Sequence, residues 1–336
     1  SNGVNMSTDI KTKEKGGRAY FSYLRKKWFP GGAAHGRWLD YVFIGAFVVA
    51  IGIGTLATEV FFTEANIKNL SRQIVSNGLI SLGMLIVILT GGIDLSVGSI
   101  VALGGVLSAG MSDKVGIAPA IVIALVFGAV AGLVNGVVVA RFKLQPFIVT
   151  LATMGIVRGF VFVYTETPLV SRHPDFRILG ASSVGPLPVT MIIMLVCFAL
   201  IWLFLNRTPT GRATVAIGGN KEAVWLAGIN VQRTIILAYV LSGLFSGLAG
   251  AILVSRLGIA QPSLGIAYEL DAIAACVIGG AILGGGGGGA IGTFFGVLIL
   301  GMINNLLNLH GVQSYYQEII KGAVILFAVL ARRRER

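Results

Sequence analysis

Charged side chains are scarce in this sequence. Only 12% of its 336 residues are Asp, Glu, Lys or Arg, where a soluble domain carries about 25%. With 55% apolar residues and a mean hydropathy of +0.86, that scarcity excludes a soluble globular domain and leaves an integral membrane protein. Cysteine is nearly absent: Cys197 and Cys276 each lie in an apolar segment, which excludes a disulfide framework and a cysteine metal site. His35, His173 and His310 are too widely separated for a metal triad. No phosphate loop of the form G-x-x-x-x-G-K-[S/T] occurs, and no Ser-His-Asp arrangement can be specified. The glycine run 284–289 satisfies G-x-G-x-x-G trivially, but it precedes an apolar span and follows no strand, so it reads as a turn with close helix packing. The chain is therefore not expected to be an enzyme or to hold a cofactor or metal.

Acidic residues are few, 14 against 26 Lys and Arg, for a net charge of +12. Nucleic-acid binding is not expected, because no basic groove with interleaved aromatic platforms is visible. The basic residues cluster at the two ends instead. Eight lie before Leu39, and Arg332, Arg333, Arg334 and Arg336 close the chain. This is the positive-inside pattern and puts both termini in the cytoplasm. Residues 1–5 precede Met6 and read as an expression-vector remnant. No cleavable signal peptide is expected, since the first long apolar run begins near Leu39. Residues 6–38 form a basic arm, and within it 16–30 mix Arg and Lys with Tyr, Trp and Phe, as expected of an interfacial helix on membrane lipid.

The expected fold is all-α, a polytopic membrane protein of about ten helices, some of them broken, in one domain over 39–331. The spans fall near 39–58, 74–90, 99–111, 118–140, 146–165, 189–205, 234–255, 271–284, 290–309 and 318–331. Threading from a cytoplasmic start makes 91–98, 141–145, 206–233 and 285–289 the inner loops. Inner segments then hold 18 Lys and Arg and outer ones six, the required bias. Outside, 61–73 reads as a short interfacial helix with Thr63 as N-cap. Residues 171–188 form the longest outer loop. Arg158 and Lys321 are expected to snorkel toward the outer surface, with Glu269, Asp271 and Glu318 as conceivable acidic partners.

The most informative stretch is Thr90-Gly91-Gly92-Ile93-Asp94-Leu95-Ser96-Val97-Gly98-Ser99, a polar interruption between apolar runs. A carboxylate at bilayer depth costs roughly 2.5–3.5 kcal/mol, so Asp94 needs a partner, a wet cavity or an interface. The glycines predict a broken helix, with Asp94 accepting a backbone N–H two or three residues on, at the start of the next helix. A tight turn at the membrane edge also fits. A weak internal echo joins Gly91-Gly92-Ile93 to Gly279-Gly280-Ala281; paired interruptions in two halves point to a transport site. Asn77, Asn135, Asn304 and Asn305 are the remaining uncharged polar candidates, together with Ser96. Inter-helix hydrogen bonding explains each Asn, and a cavity lined by such groups would suit a neutral polyhydroxylated solute.

In the largest inner loop, 206–233, Asn220 is placed to cap a helix with Glu222 in its first turn. Ala223 to Ala227 continue that helix and Gly228 stops it. A short apolar helix exposed to cytoplasm predicts a docking partner on the inner face, and an interfacial helix on lipid is the alternative.

Several of these pieces together resemble the permease subunits of ribose-type bacterial ABC sugar importers. They are Ile88-Leu-Thr-Gly-Gly-Ile-Asp-Leu-Ser-Val-Gly-Ser99, Gly211-Arg212, Ala216-Ile-Gly-Gly-Asn-Lys-Glu-Ala223, Gly228-Ile-Asn-Val231, Tyr268-Glu-Leu-Asp-Ala-Ile-Ala-Ala275, Asn304-Asn305 and Tyr315-Tyr316-Gln317. The resemblance implies a second permease subunit, alike or related, and a cytoplasmic ABC ATPase, often with fused tandem domains, that holds ATP and Mg. It also implies a periplasmic sugar-binding protein and an inner-membrane location. Gly219, Asn220, Lys221, Glu222, Ala223 and Gly228 match the family's ATPase-coupling loop, with Val224 in place of its second Ala. Residues 281–289 depart further, lacking the hydroxyls and basic residue usual there. Gly91, Gly92, Asp94, Ser96 and the four Asn residues are assigned to the pathway or its structural turn. A proton- or ion-coupled transporter using Asp94 is the competing class.

Overall fold

The computed structural model describes residues 36–333; residues 1–5, most of the basic arm with the stretch 16–30 expected as an interfacial helix, His35 and the last three residues lie outside that range. Contacts divide the chain at Val42, and the shorter unit contributes only the start of the first helix to the description. Thirteen helices are described: α1 (Gly36–Ala57), α2 (Glu64–Leu89), α3 (Val97–Val115), α4 (Ile117–Phe142), α5 (Pro146–Tyr164), α6 (Ile178–Ala181), α7 (Val189–Arg207), α8 (Pro209–Gly219), α9 (Lys221–Leu226), α10 (Val231–Leu257), α11 (Tyr268–Ile278), α12 (Ala290–Leu309) and α13 (Ser314–Arg333). A helix overlies part of each of the ten expected spans. Among the described residues, six (α2, α4, α5, α7, α10 and α12) are long and apolar enough to cross a bilayer.

Burial sorts them. The apolar window of α2 is 83% buried and that of α10 67%, against 22% for α4 and 28% for α5 and α7. Helices apolar all round and enclosed form the centre, while the others turn Val126, Phe127, Ile156, Phe160 and Leu200 outward. Close approach of α4 to α10 depends on glycine: a Cβ at Gly136 would stand 2.7 Å from Ile236 Cα, and Gly132 and Gly128 repeat the contact on Tyr239 and Gly243. A small residue every fourth position is how membrane helices gain backbone contact.

Four local expectations change. Thr63 does cap a helix, its Oγ1 accepting from Asn66 N at 3.4 Å, but that helix runs unbroken to Leu89. Nothing between 64 and 89 stops it, so the expected 61–73 helix and the 74–90 span are one element. The span expected at 271–284 is helical only to Ile278, because Gly280 adopts φ +97° and ends it. The 171–188 loop carries α6 and a two-residue hairpin, β1 (Ser183–Val184) with β2 (Leu187–Pro188). It packs on the bundle through Ser255 Oγ, which donates to Phe176 O and accepts from Gly180 N. Finally α8 was not expected; Thr208 caps it through Gly211 N at 3.0 Å and Pro209 starts it, a legible N-terminal signal.

Candidate functional site

The two sequence interruptions become the same structure. At Gly91 (φ +85°), the N–H donates to Ile88 O at 2.8 Å and that of Gly92 to Val87 O at 3.2 Å. At Gly280 (φ +97°), the N–H donates to Val277 O at 3.0 Å and that of Ala281 to Cys276 O at 2.8 Å. Both are Schellman closures, in which only the residue after the cap must be left-handed. The echo is therefore real but one residue out of the expected register: Gly91 matches Gly280, while Thr90 and Gly279 are the caps. The two turns meet. Gly286 N donates to Leu89 O at 3.1 Å, and a Cβ on Gly285 would lie 2.8 Å from Gly91 N and 2.7 Å from Gly218 Cα. Glycine at 285 and 286 thus permits a three-way backbone junction between the end of α2, the end of α8 and the turn before α12.

From Gly92 the chain climbs back into the bundle. Asp94, Ser96 and Ser99 are fully buried, so the stretch numbered 91–98 among the inner loops is, past Gly92, an interruption enclosed by the bundle. Asp94 Oδ1 accepts from Ser96 N at 3.0 Å and from Ser96 Oγ, and Oδ2 accepts from Ser242 Oγ at 2.8 Å. The N–H two residues on is the one anticipated, but Ser96 is the cap residue, so Asp94 closes the turn that leads into α3. The hydrogen bonds continue outward. Asn135 Nδ2 donates to Ser96 Oγ at 2.9 Å, and Thr153 Oγ1 donates to Asn135 Oδ1 at 2.6 Å. One polar chain thereby ties the broken turn to α4, α5 and α10. Ser242 lies eleven residues into α10, about 16 Å from its start at 1.5 Å per residue.

Asn305 belongs elsewhere. It exchanges two amide hydrogen bonds with Asn66, 3.0 and 2.8 Å, joining the Thr63 end of α2 to α12. Asn77 Oδ1 and Asn304 Oδ1 are enclosed and find no partner among the described residues. Asn305→Ala strands a buried amide, which costs about 1–3 kcal/mol. It should lower the unfolding midpoint in detergent, and combining it with Asn66→Ala should cost less than the sum of the two changes. Arg158 does not snorkel: it donates to Pro262 O at 2.6 Å and Leu264 O at 2.8 Å. Lys321 pairs with Asp271 at 3.0 Å, one of the three acids considered.

The helix α9 has both its ends made as the residues foretell. Asn220 Oδ1 accepts from Ala223 N at 2.8 Å, and Gly228 (φ +79°) closes on Trp225 O at 2.9 Å. Val224 points in, while Trp225 and Leu226 are 66% and 72% exposed. A cleft of about 320 Å³ lined by Gly91, Gly92, Lys143, Gln145, Lys221 and Tyr239 sets α9 at the same end as the broken turn. Sequence reasoning missed Ser242, Thr153, Tyr239 and Gly218. Ser242 and Tyr239 share α10 with Thr234, Ser246 and Ser255, and Thr153 shares α5 with Thr150 and Arg158, so no lone polar residue singled them out.

Among the described residues, no group of His, Cys, Asp and Glu is placed to hold a metal. Paired broken helices, a buried polar chain and a helix projecting beside both turns are the parts of a membrane permease. The chain belongs to the family described as branched-chain amino acid transport system / permease component, which matches residues 66–329. It is 49% identical to the ribose import permease protein RbsC of Bacillus subtilis, over 87% of this chain and 92% of that protein. It is 46% identical to the ribose import permease protein RbsC of Haemophilus influenzae, over 85% and 90%. Identity to the L-arabinose transport system permease protein AraH of Escherichia coli is 38%, over 87% and 90%. No solved structure matches the chain.

Proposed function

We propose that this chain is the permease subunit of an ATP-driven importer that carries a monosaccharide, ribose or a related sugar, across the bacterial inner membrane. The observation that carries the reading is the α9 knob. Two large apolar side chains are held out on a helix capped at both ends, and α8 joins that helix directly to the junction of the two broken turns. A force applied at Trp225 and Leu226 reaches Leu89, Gly91 and Gly285 through α8. The proposed source is a cytoplasmic ABC ATPase, with fused tandem domains, that binds the ATP and Mg. Relatives named for ribose and arabinose transport support the cargo class.

In the finer arrangement, ten helical segments cross or enter the bilayer and both termini face the cytoplasm, in line with the basic bias of 206–233 and the two ends. A second permease subunit completes the pathway and a periplasmic sugar-binding protein delivers the sugar. Asp94, with three donors already on its oxygens, serves as a pin and not as a coupling carboxylate. Proteoliposomes holding the chain, its ATPase and its binding protein should take up ribose with ATP and not with a proton gradient; gradient-driven uptake without an ATPase would reject the reading. Trp225→Glu and Glu222→Arg should each cut ATPase co-purification at least roughly tenfold, the effect of losing a central anchor of about 1.4 kcal/mol or more, with insertion intact. Unchanged co-purification would remove α9 from the docking surface.

A further inference from the structure

Between α10 and α11 the chain forms no helix; residues 258–267 run through turns, with Gly265 and Ala267 at positive φ. Their depth follows from contacts. Gly265 packs on Gly98, and Gly98 lies between the Asp94–Ser242 hydrogen bond and the contact of Val101 with Gly250. It is therefore level with about Ser246. Ser246 is fifteen residues from Val231, and Asp113 is fifteen beyond Gly98. At 1.5 Å per residue each interval is about 22 Å, so Gly265 sits midway along a bundle longer than the roughly 30 Å hydrocarbon core.

Non-helical backbone at that depth is tolerated only inside protein or against water. The inner side of the segment is held by protein: Arg158 takes the carbonyls of Pro262 and Leu264, and Gly265 is buried. The outer side is not. Gln261 and Ser263 are exposed, Ile266 and Leu270 are 66% and 52% exposed, and Glu269 is half-buried in the first turn of α11. Its carboxylate stands beside Gly98, where a Cβ would meet Oε2 at 2.7 Å. At comparable depth the outward faces of α4 and α5 are apolar, with Val126, Phe127, Ile156 and Phe160, as contact with lipid requires. An exposed amide and hydroxyl, with a half-buried carboxylate on the same segment, do not fit lipid.

We propose that Gln261, Ser263 and Glu269 form a wall of the solute pathway, facing the second permease subunit across water. The proposal rests on the importer reading above and locates its pathway. Uncharged donors and acceptors with one carboxylate suit a neutral polyhydroxylated solute, which is recognised by hydrogen bonds. Ile266 and Leu270 supply apolar surface from the same segment.

The test uses the assembled complex, with ATPase and binding protein, in proteoliposomes. In a Cys197→Ala background, with the enclosed Cys276 retained as blank, Gln261→Cys and Ser263→Cys are compared with Ile156→Cys for reaction with a membrane-impermeant cationic methanethiosulfonate. Both pathway positions are expected to react at least roughly tenfold faster than the lipid-facing one, as water access to a thiolate demands. Modification at 263 should stop ribose uptake. Rates no faster than at Ile156→Cys would overturn the proposal, since the face would then lie against lipid or dry protein. Uptake by the unmodified background is scored separately. A background that transports none of ribose, L-arabinose and D-allose with ATP present rejects the importer reading, while the ranking of reaction rates still decides whether this face is wet.

Discussion

Asp94→Ala is expected to cut ATP-driven uptake at least tenfold while part of the protein still inserts and carries its ATPase. Three donors converge on this carboxylate: the Ser96 N–H, the Ser96 hydroxyl and the Ser242 hydroxyl. Without it, the two hydroxyls can turn to helix carbonyls, as Ser246 does toward Ser242 O. The Ser96 N–H cannot turn, and a stranded buried backbone donor costs about 1–3 kcal/mol. Removing a buried carboxylate also relieves its desolvation, so the loss in folded stability stays at the lower part of that range. The effect on transport is larger, because the turn then has no fixed position relative to α10. A shift of about 1.4 kcal/mol is a tenfold change in the population of a working conformation. Asp94→Asn keeps an acceptor for the Ser96 N–H and should retain a substantial fraction of uptake. Measured in the same vesicles, alanine and asparagine variants that both transport at the parental rate would show that the turn is held by something other than this residue.

How far the sequence reveals this site depends on the range of each interaction. The ends of α9 were legible because capping is local: Asn220 and Gly228 bond within four or five residues of themselves. The break at Gly91 was legible for the same reason, since a left-handed position after an apolar run calls for glycine. Membrane character followed from composition alone. The partners of Asp94 were not legible, because Ser242 is 148 residues away and lies in a helix apolar on every side, so no periodicity marks the inward face. Threading located the interruption at the end of a broken helix but not its depth, because a hydropathy pattern does not show how far the chain after Gly92 turns back inside. The junction of Gly91, Gly218 and Gly285 lay further beyond reach. Gly91 and Gly285 are at positive φ, which a local reading can supply, but Gly218 is not, and only its contact with Leu89, Gly285 and Gly286 explains why it carries no side chain.

That contact supports the second large effect. Gly218→Ala is expected to abolish ATP-driven uptake while ATP hydrolysis by the docked ATPase continues. A Cβ there would run into Leu89 O and Gly286 N and would stand 2.7 Å from Gly285 Cα. All three obstacles are backbone, so none can step aside by a rotamer change, and overpacking of this kind costs about 1–3 kcal/mol. The strain falls where it matters. Leu89 carbonyl holds the Gly286 N–H, Gly285 abuts the amide of Gly91, and α8 leads within two residues to the cap of α9. Pushing the junction apart should leave the Trp225–Leu226 knob intact for docking but free to move without carrying the two broken turns. Hydrolysis uncoupled from uptake is the signature to measure. Gly155→Ala, whose Cβ meets nothing within 4 Å on the outward side of α5, should behave as the parent. Gly219→Ala also meets nothing within this chain, so any loss there reports on the surface of a docked partner. If Gly218→Ala transports at the parental rate with normal stimulation of hydrolysis, the junction is a packing contact and force passes from α9 to the pathway by another route.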